Sequence, residues 1–213
     1  MEVTSSKETA VCNLGSINLS KHLTADGFDF IALEKTARLA LSQLDAVIDR
    51  NFYPLEVAKQ SNSKWRPVGL GCMGLQDVLF SLGYAFDSDE AKKLSTEIAA
   101  CIYYAAMDES CKLAKQFGAH PNFMETRAAS GELEPDRWGV ECAGNHDWEG
   151  RRTRVKKFGL RNSLKIAIAP TATIATIAGC YECIEPLVSN LFKKETLSGE
   201  FLQVNRYLSL IHI

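Results

Sequence analysis

The sequence predicts an α/β fold with parallel strands, and three observations support this prediction. Residues 30–48 have the pattern of an amphipathic helix, because apolar side chains recur at steps of three and four residues. Residues 66–79 combine a short buried strand, several glycines and the start of a helix. Residues 164–169 form an apolar run, typical of a buried strand, that leads into a short helix ending at Gly179. Helices that alternate with isolated strands favour parallel pairing.

The first predicted helix follows a segment suited to a strand or a loop. Residues 11–19 mix apolar and small polar side chains, which indicates a short strand or loop packed at a site. Asp29 can cap the helix, since aspartate is a preferred residue at that position. The expected apolar stripe of the helix consists of Leu33, Ala37, Leu41, Leu44 and Ile48.

The glycines and a second capped helix define the middle of the chain. The glycines within residues 66–79 allow a sharp turn or a close approach to a neighbouring backbone. A longer helix is predicted over residues 89–117. Asp87 or Ser88 can cap its start, and Gly118 stands at the position where helices commonly end.

The second half of the chain begins with a segment of different composition. Residues 119–150 are rich in Gly, Pro, Asn, Asp and Glu, which predicts a long irregular excursion. A short basic helix is expected over residues 149–158. Its most basic stretch, residues 151–157, is flanked by acidic residues, and we interpret it as a solvated helix face.

Composition excludes several classes of protein. The 213 residues are 46% hydrophobic with a formal net charge of −2. The chain therefore lacks the excess of positive charge that is typical of nucleic-acid-binding proteins. No run reaches the about 18 apolar residues that a membrane span requires. The N-terminus has no apolar signal core. The seven cysteines are odd in number and scattered, unlike a secreted disulfide framework. We therefore expect a cytoplasmic protein.

The strongest local signal is a strand, a short polar turn and a helix. The turn consists of Pro170, Thr171, Ala172, Thr173 and Ile174. A proline is favoured at the first helical position, the first-turn N–H groups are free, and the helix dipole is positive there. Two threonine hydroxyls add donors and the small alanine allows close approach, so this segment is a candidate phosphate cradle without a lysine. The alternative is an ordinary capped helix.

Cysteines provide a second set of candidates. Cys180 and Cys183 form a single C-x-x-C, which could be redox-active, half of a zinc site, or simply part of a helix-ending turn. The histidines show no spacing that would complete a zinc site. Cys12 stands among small polar residues that could leave its thiol accessible, whereas Glu2 alone would be interpreted as a solvated terminal residue.

Taken together, these segments resemble a known family. The matching stretches, in order, are residues 8–19, 66–71, 160–164, 169–175, 184–186 and 197–201. They resemble the large, catalytic subunit of class I ribonucleoside-diphosphate reductase, an oxidoreductase that reduces ribonucleoside diphosphates to deoxyribonucleoside diphosphates by radical chemistry.

The resemblance implies a fold and a set of site residues. The fold is a ten-stranded α/β barrel of two parallel five-stranded halves, with mostly helical surroundings. Glu2 corresponds to the carboxylate that takes the proton of the substrate's 3′-hydroxyl, a role suited to a general base. Cys12 corresponds to one of two redox thiols that reduce the ribose 2′-position and end as a disulfide. Residues 170–174 correspond to the loop that binds the substrate's diphosphate, and the C-x-x-C positions have no catalytic role.

The resemblance also implies partners and the limits of the chain. The radical would come from a metal-containing small subunit and the electrons from a thioredoxin-type reductant, with no metal or cofactor bound by this segment. The large subunit would form a homodimer or a higher assembly, without membrane or nucleic-acid partners. By this match residues 1–208 are part of the catalytic barrel domain, residues 209–213 are a non-native tail, and the fragment alone is expected to be inactive.

Two alternative hypotheses remain open from the sequence. One is a phosphate-binding α/β module without redox chemistry, in which Cys12 is structural. The other is a class II, cobalamin-dependent reductase, which shares the barrel; residues 197–201 favour class I.

Overall fold

The computed structural model describes residues 6–11, 13–196 and 199–208. The strands are β1 (Leu14–Asn18), β2 (Leu23–Thr24), β3 (Gly27–Phe28), β4 (Gly69–Met73), β5 (Leu191–Thr196) and β6 (Gly199–Val204). The α-helices are α1 (Phe30–Arg50), α2 (Glu56–Trp65), α3 (Leu75–Leu82), α4 (Asp89–Phe117), α5 (Glu134–Trp138), α6 (Trp148–Phe158) and α7 (Ala172–Ala178). Short 3₁₀ helices cover Leu19–His22, Phe123–Glu125 and Arg127–Ser130. The predicted α/β class is confirmed.

The parallel part of the fold consists of three segments side by side. β1 and β4 pair in parallel, with Leu14 opposite Gly69 at one end and Asn18 opposite Met73 at the other. Residues 164–167 lie along the free edge of β4 and run in the same direction. The predicted parallel pairing is therefore confirmed in the described part of the chain.

The third segment is less regular than the strand predicted over residues 164–169. Ile166 forms a single parallel bridge with Leu70. The Leu70 N–H donates to the Lys165 carbonyl over 2.8 Å, and the Ala167 N–H donates to the Leu70 carbonyl over 3.1 Å. Beyond Ala167 the described residues make no further backbone hydrogen bond to β4, and the chain turns toward α7 through Pro170. The prediction has the right place and direction, but the predicted length is wrong.

Glycines allow the three segments to approach one another closely, as predicted. A Cβ at Gly71 would lie 2.4 Å from the Ala167 carbonyl oxygen. A Cβ at Gly69 would lie 2.8 Å from the Ala167 Cβ. Any side chain at Gly71 would therefore push the third segment away from β4.

The two long helices begin where the sequence predicts. The Asp29 carboxylate accepts the Ala32 N–H over 2.8 Å and caps α1. The Ser88 hydroxyl accepts the Ala91 N–H over 3.2 Å and caps α4, which ends before Gly118. The stripe predicted for α1 is buried, except for one leucine that is half-buried.

The main apolar core lies where α1, α3 and α4 cover the parallel segments. Its buried side chains come from all of these elements: Ile17, Leu19, Leu33, Ala37, Leu70, Cys72, Leu75, Val78, Leu79, Ala91, Leu94, Ile98, Cys101, Ile102 and Ala105. Burial of this apolar surface is the main stabilising contribution to the fold.

A buried polar network joins segments that are far apart in the sequence. The Arg66 guanidinium donates to Asp45 over 3.0 Å and to Asp49 over 2.7 Å. The Asn162 side chain donates to Asp45 over 2.8 Å and accepts the Ser110 hydroxyl over 2.9 Å. Because buried charges are tolerated only when they are paired and hydrogen-bonded, these contacts explain why polar residues occupy the interior here.

The segment predicted as an irregular excursion, residues 119–150, is more ordered than expected. It contains two 3₁₀ helices and α5. Phe123 and Leu133 are buried in a second apolar cluster together with Val155 and Leu160. The composition concealed this order because only a few apolar side chains anchor the segment to α4 and α6.

The basic stretch of residues 151–157 is not entirely a solvated face, which corrects the prediction. Arg151 is 1% exposed, forms an ion pair with Asp108, and stacks over the Tyr104 ring at 4.5 Å. Its partner carboxylate lies on α4, so the sequence pattern of α6 alone could not reveal the burial. The later basic residues of α6, Lys156 and Lys157, are exposed as expected.

Several elements were not predicted: α2, α5, the 3₁₀ helices, the β2–β3 pair and the antiparallel β5–β6 hairpin. The strands of the hairpin are largely exposed, so they lack the apolar alternation that marks a half-buried strand. Within the described residues, no helix has both the length and the apolar character needed to cross a membrane.

Candidate functional site

The candidate site lies where the three parallel segments end. Asn18 ends β1, Gly74 follows β4, and the third segment leads to Thr171 before α7. A Cβ at Gly74 would lie 3.1 Å from Asn18 Oδ1 and 3.2 Å from Cys180 Cβ, so the ends lie close together. The carboxyl ends of parallel strands are the usual place for ligands in open α/β sheets.

The turn before α7 differs in one respect from the prediction. Pro170 was expected at the first helical position, but Thr171 is the N-cap and Ala172 is the first helical residue. Thr171 has a φ of 56°, in the left-handed region, and its carbonyl accepts the Ala175 N–H over 2.8 Å. The chain therefore bends one residue later than a proline start would require, and Pro170 lies outside the helix.

The two threonines of the turn play different roles. Thr171 is buried, and its hydroxyl oxygen accepts the Cys183 N–H over 2.8 Å. Thr173 is exposed, as are Pro170, Ala172 and Ile174. The Thr171 hydroxyl thus accepts a hydrogen bond from the segment after α7 and keeps its own O–H to donate, so the prediction that both threonines supply donors stays a prediction.

The start of α7 leaves its first-turn backbone open. The Thr171 side chain makes no hydrogen bond to the first turn. An uncapped helix start presents N–H groups and a positive dipole end, and both attract anions. The start of α7 therefore lacks the side-chain cap of an ordinary capped helix, and anion binding at this turn stays a prediction.

Lys194 on β5 is a cation near the turn that sequence reasoning missed. Its Nζ contacts the Ala172 carbonyl at 3.2 Å, the Thr176 hydroxyl at 3.1 Å and Glu182 Oε1 at 2.6 Å. Nothing in the local sequence signals this contact, since the lysine reaches α7 only through the unpredicted hairpin. Its charge is compensated by the glutamate, so it fastens the hairpin to α7.

A buried acid that contacts the segment after α7 was also missed. Asp77 in α3 is 0% exposed and accepts the Tyr181 N–H over 2.6 Å and the Tyr207 hydroxyl over 2.9 Å. Arg206 forms an ion pair with the same carboxylate. An aspartate in the first turn of a helix is ordinarily interpreted as a surface residue, so the sequence gives no sign of this role.

The C-x-x-C thiols show no sign of a reactive or metal-binding pair in the described residues. Cys183 is buried and Cys180 is half-buried, and neither forms a disulfide. Burial raises the pKa of the Cys180 thiol, which is therefore protonated near neutral pH. No group of three or more His, Cys, Asp or Glu side chains among the described residues could hold a metal ion.

The two predicted catalytic residues, Glu2 and Cys12, lie outside the described residues. Asn13, which follows the cysteine, is buried, and its carbonyl accepts the Gly69 N–H over 2.8 Å. The structure thus brings together the turn of residues 170–174 with Asp77 and Lys194, and it does not test the two catalytic assignments.

A cavity of about 750 Å³ lies elsewhere, between β1 and α1. It is lined by Gly15, Ser16, Ile17, Asn18, Lys21, His22, Ala32, Thr36, Ala40, Gln43, Leu44, Val47 and Leu70. Residues 170–174, the predicted site residues that the structure describes, do not line it.

Comparisons with known proteins agree with the resemblance. A family model described as "Ribonucleotide reductase, barrel domain" matches residues 1–212. The chain is 41% identical over 208 residues to the ribonucleoside-diphosphate reductase large chain of Encephalitozoon cuniculi, covering 98% of this chain and 27% of that protein. It is 40% identical over 209 residues to the large subunit of Caenorhabditis elegans, covering 98% and 26% respectively.

A third relative is the large chain 2 of Saccharomyces cerevisiae, 42% identical over 214 residues, covering 98% of this chain and 25% of the relative. The chain therefore spans about a quarter of the length of the curated relatives that it matches. Since the family model covers nearly every residue, the chain belongs to the ribonucleotide reductase barrel-domain family.

Proposed function

We propose that this chain is part of the catalytic subunit of a class I ribonucleoside-diphosphate reductase. The observation that carries the proposal is the family match over residues 1–212, accompanied by relatives of about 40% identity that bear this name. The complete protein would convert ribonucleoside diphosphates to deoxyribonucleoside diphosphates.

Two residues of the chain carry the proposed chemistry. Glu2 accepts the proton of the 3′-hydroxyl while a radical forms on the adjacent ribose carbon. Cys12 and a second thiol supply two electrons and two protons: the C2′–O bond breaks, water leaves, a C2′–H bond forms, and the thiols become a disulfide. A thioredoxin-type reductant then restores both thiols by exchange.

The turn of residues 170–174 is the proposed site for the substrate's diphosphate. Its support is the uncapped start of α7, whose N–H groups and positive dipole end face solvent beside exposed Ala172 and Thr173. Lys194 adds positive charge next to the turn, although Glu182 shares it.

The remaining features of the proposal concern the whole enzyme. The three parallel segments are consistent with part of one half of a ten-stranded barrel with two parallel five-stranded halves. The radical would come from a metal-containing small subunit, and the large subunit would form a homodimer or a higher assembly. The location expected for such an enzyme is the cytoplasm.

Two variants of the complete large subunit test the proposal. We expect Cys12→Ser to abolish deoxynucleotide formation while binding of inorganic pyrophosphate persists, because only the reducing thiol is lost. We expect Ala172→Glu to weaken pyrophosphate binding about tenfold or more, because a carboxylate then occupies the anion site. Product formation measures turnover, and titration calorimetry with pyrophosphate measures binding in both variants.

The chain offers a matched control for the second variant. Ile177→Glu adds the same charge to the same helix at a residue that is 81% exposed, and it should leave pyrophosphate binding unchanged. An acidic residue at a helix start is favourable for folding, so loss of binding in Ala172→Glu would not reflect unfolding. Full turnover by Cys12→Ser would exclude the reductase chemistry and favour the phosphate-binding module.

A further inference from the structure

We propose that Asp77 is a positioning residue for the diphosphate turn, and that it acts through the segment of residues 180–183. This proposal rests on the proposed function. The acid does not reach the turn itself; it holds the segment that carries the hydrogen-bond donor to Thr171.

Hydrogen-bond donors and a cation surround the acid. Asp77 is fully buried, and its carboxylate accepts the Tyr181 N–H over 2.6 Å and the Tyr207 hydroxyl over 2.9 Å, next to the Arg206 guanidinium. Burial raises the pKa of Tyr207, as does its hydrogen bond to Asp77, so the hydroxyl stays a donor at neutral pH. A buried carboxylate is tolerated because a cation and two donors compensate its charge.

Backbone hydrogen bonds connect the acid to the turn through the segment of residues 180–183. The Tyr181 carbonyl accepts the Gly74 N–H over 2.9 Å, so both backbone polar groups of Tyr181 are bonded to the start of α3. Two residues later, the Cys183 N–H donates to the Thr171 hydroxyl over 2.8 Å. The same segment is also fixed to α7 by the Cys180 N–H, which donates to the Ala175 carbonyl over 3.0 Å.

The two residues joined by the Thr171–Cys183 hydrogen bond have strained backbone angles. Thr171 has a φ of 56° and Cys183 has a φ of 31°, both in the left-handed region that side chains other than glycine rarely adopt. Two strained residues joined by one hydrogen bond need support from outside. The contacts of Asp77 provide that support, and the exposed start of α7 keeps its orientation as a result.

The test is a set of substitutions in the complete large subunit. Asp77→Asn keeps the shape of the side chain but places an amide donor against either Tyr181 N–H or the guanidinium of Arg206. We expect KM for a ribonucleoside diphosphate and Ki for inorganic pyrophosphate each to rise about tenfold, in line with the loss of a charge-assisted hydrogen bond. We expect kcat to change less than about twofold, because the reacting groups are elsewhere.

A matched control separates positioning from a general loss of stability. Asp45→Asn alters another buried carboxylate, which pairs with Arg66, and it should lower the melting temperature while KM and Ki stay unchanged. Equal KM and Ki shifts in the two variants would overturn the proposal, as would an unchanged KM in Asp77→Asn.

A second variant keeps the proposal testable if Asp77→Asn does not fold. Arg206→Gln removes the cation from the cluster at a side chain that is 49% exposed, so folding should tolerate it. We expect the same increase in KM and Ki, in smaller measure, and unchanged values would overturn the proposal. The Ala172→Glu variant tests the diphosphate turn separately from the role of Asp77. If Ala172→Glu leaves pyrophosphate inhibition intact, the turn does not bind the diphosphate and the proposed function of the turn is refuted.

Discussion

At the scale of single residues, the described interior contains polar groups that are fully hydrogen-bonded and four side-chain atoms, His120 Nδ1 among them, that have no partner. Asn162 uses both ends of its amide, toward Ser110 and Asp45. His120 is 2% exposed and lies between the Trp65 and Phe123 rings, and its Nδ1 has no hydrogen-bond partner in the described residues. Burial and the charge of nearby Lys165 lower the pKa of His120 from 6.5 to about 4.

Because the pKa of His120 is lowered in the folded state, we expect the free energy of unfolding to depend on pH. The folded state keeps His120 neutral, while the unfolded chain binds a proton below pH 6.5, so stability present above pH 6.5 is lost as the pH falls toward 4. The loss amounts to about 3 kcal/mol at pH 4. We expect His120→Phe to remove this part of the acid destabilisation, measured by urea unfolding of the 213-residue chain between pH 7 and 4.

The comparison uses the slope of the free energy of unfolding against pH, because overpacking by phenylalanine would lower that free energy equally at every pH. Parallel slopes for the two proteins would show that His120 is protonated in the folded state and would contradict the prediction.

At the scale of secondary structure elements, the sequence predicted what local patterns determine. The caps of α1 and α4, the end of β4 and the place of α7 follow from Asp29, Ser88 and the glycines near them. What it missed depends on contacts between distant segments. Arg151 on α6 is buried because it forms an ion pair with Asp108 on α4. The β5–β6 hairpin contacts α7 through Lys194.

The candidate site shows the same division. The position of the turn before α7 could be predicted because a strand, a small polar turn and a helix lie together in the sequence. The supporting acid could not, because Asp77 and its partner Tyr207 are separated by 130 residues. The roles of Glu2 and Cys12 came from resemblance alone and stay predictions.

The close approach of two backbones at β4 gives a prediction at the element scale. We expect Gly71→Ala to destabilise the chain by about 2–4 kcal/mol, because the new Cβ would lie 2.4 Å from the Ala167 carbonyl oxygen, a backbone atom. Chemical denaturation of the 213-residue chain measures the change.

Gly15→Ala is the matched control in the same sheet. Its new Cβ would lie 3.5 Å from the Leu44 side chain, an ordinary contact, so we expect a change below about 1 kcal/mol. Equal effects of the two substitutions would show that strand propensity, rather than close approach, determines the cost.

At the scale of the whole molecule, stability is distributed unevenly. α1 and α4 pack against each other and against β4 through the main core. The β5–β6 hairpin pairs only with itself and exposes Phe201 at 50% and Leu202 at 70%. An isolated two-stranded hairpin is marginally stable, so its order depends on contacts at its base.

Hydrogen exchange of backbone amides should reveal this difference. We expect the amides in the middle of α1 and α4 to exchange slowest, with opening free energies near the global value, and those of β5 and β6 to exchange orders of magnitude faster. Mass-spectrometric exchange of the 213-residue chain measures both regions at once. Equal protection of the hairpin and of α4 would refute this distribution.

The buried network around Asp45 has a consequence for biosynthesis. The hydrogen bond from Asn162 to Asp45 spans 117 residues. At a translation rate of about 5–20 residues per second, Asp45 leaves the ribosome roughly 6 to 23 seconds before Asn162 does. During that interval the nascent chain has Asp45 and Arg66 but not the amide that completes their network. The native interior therefore closes only after Asn162 has left the ribosome, and until then the segment that contains Asp45 and Arg66 is the part of the nascent chain that a chaperone would be expected to protect.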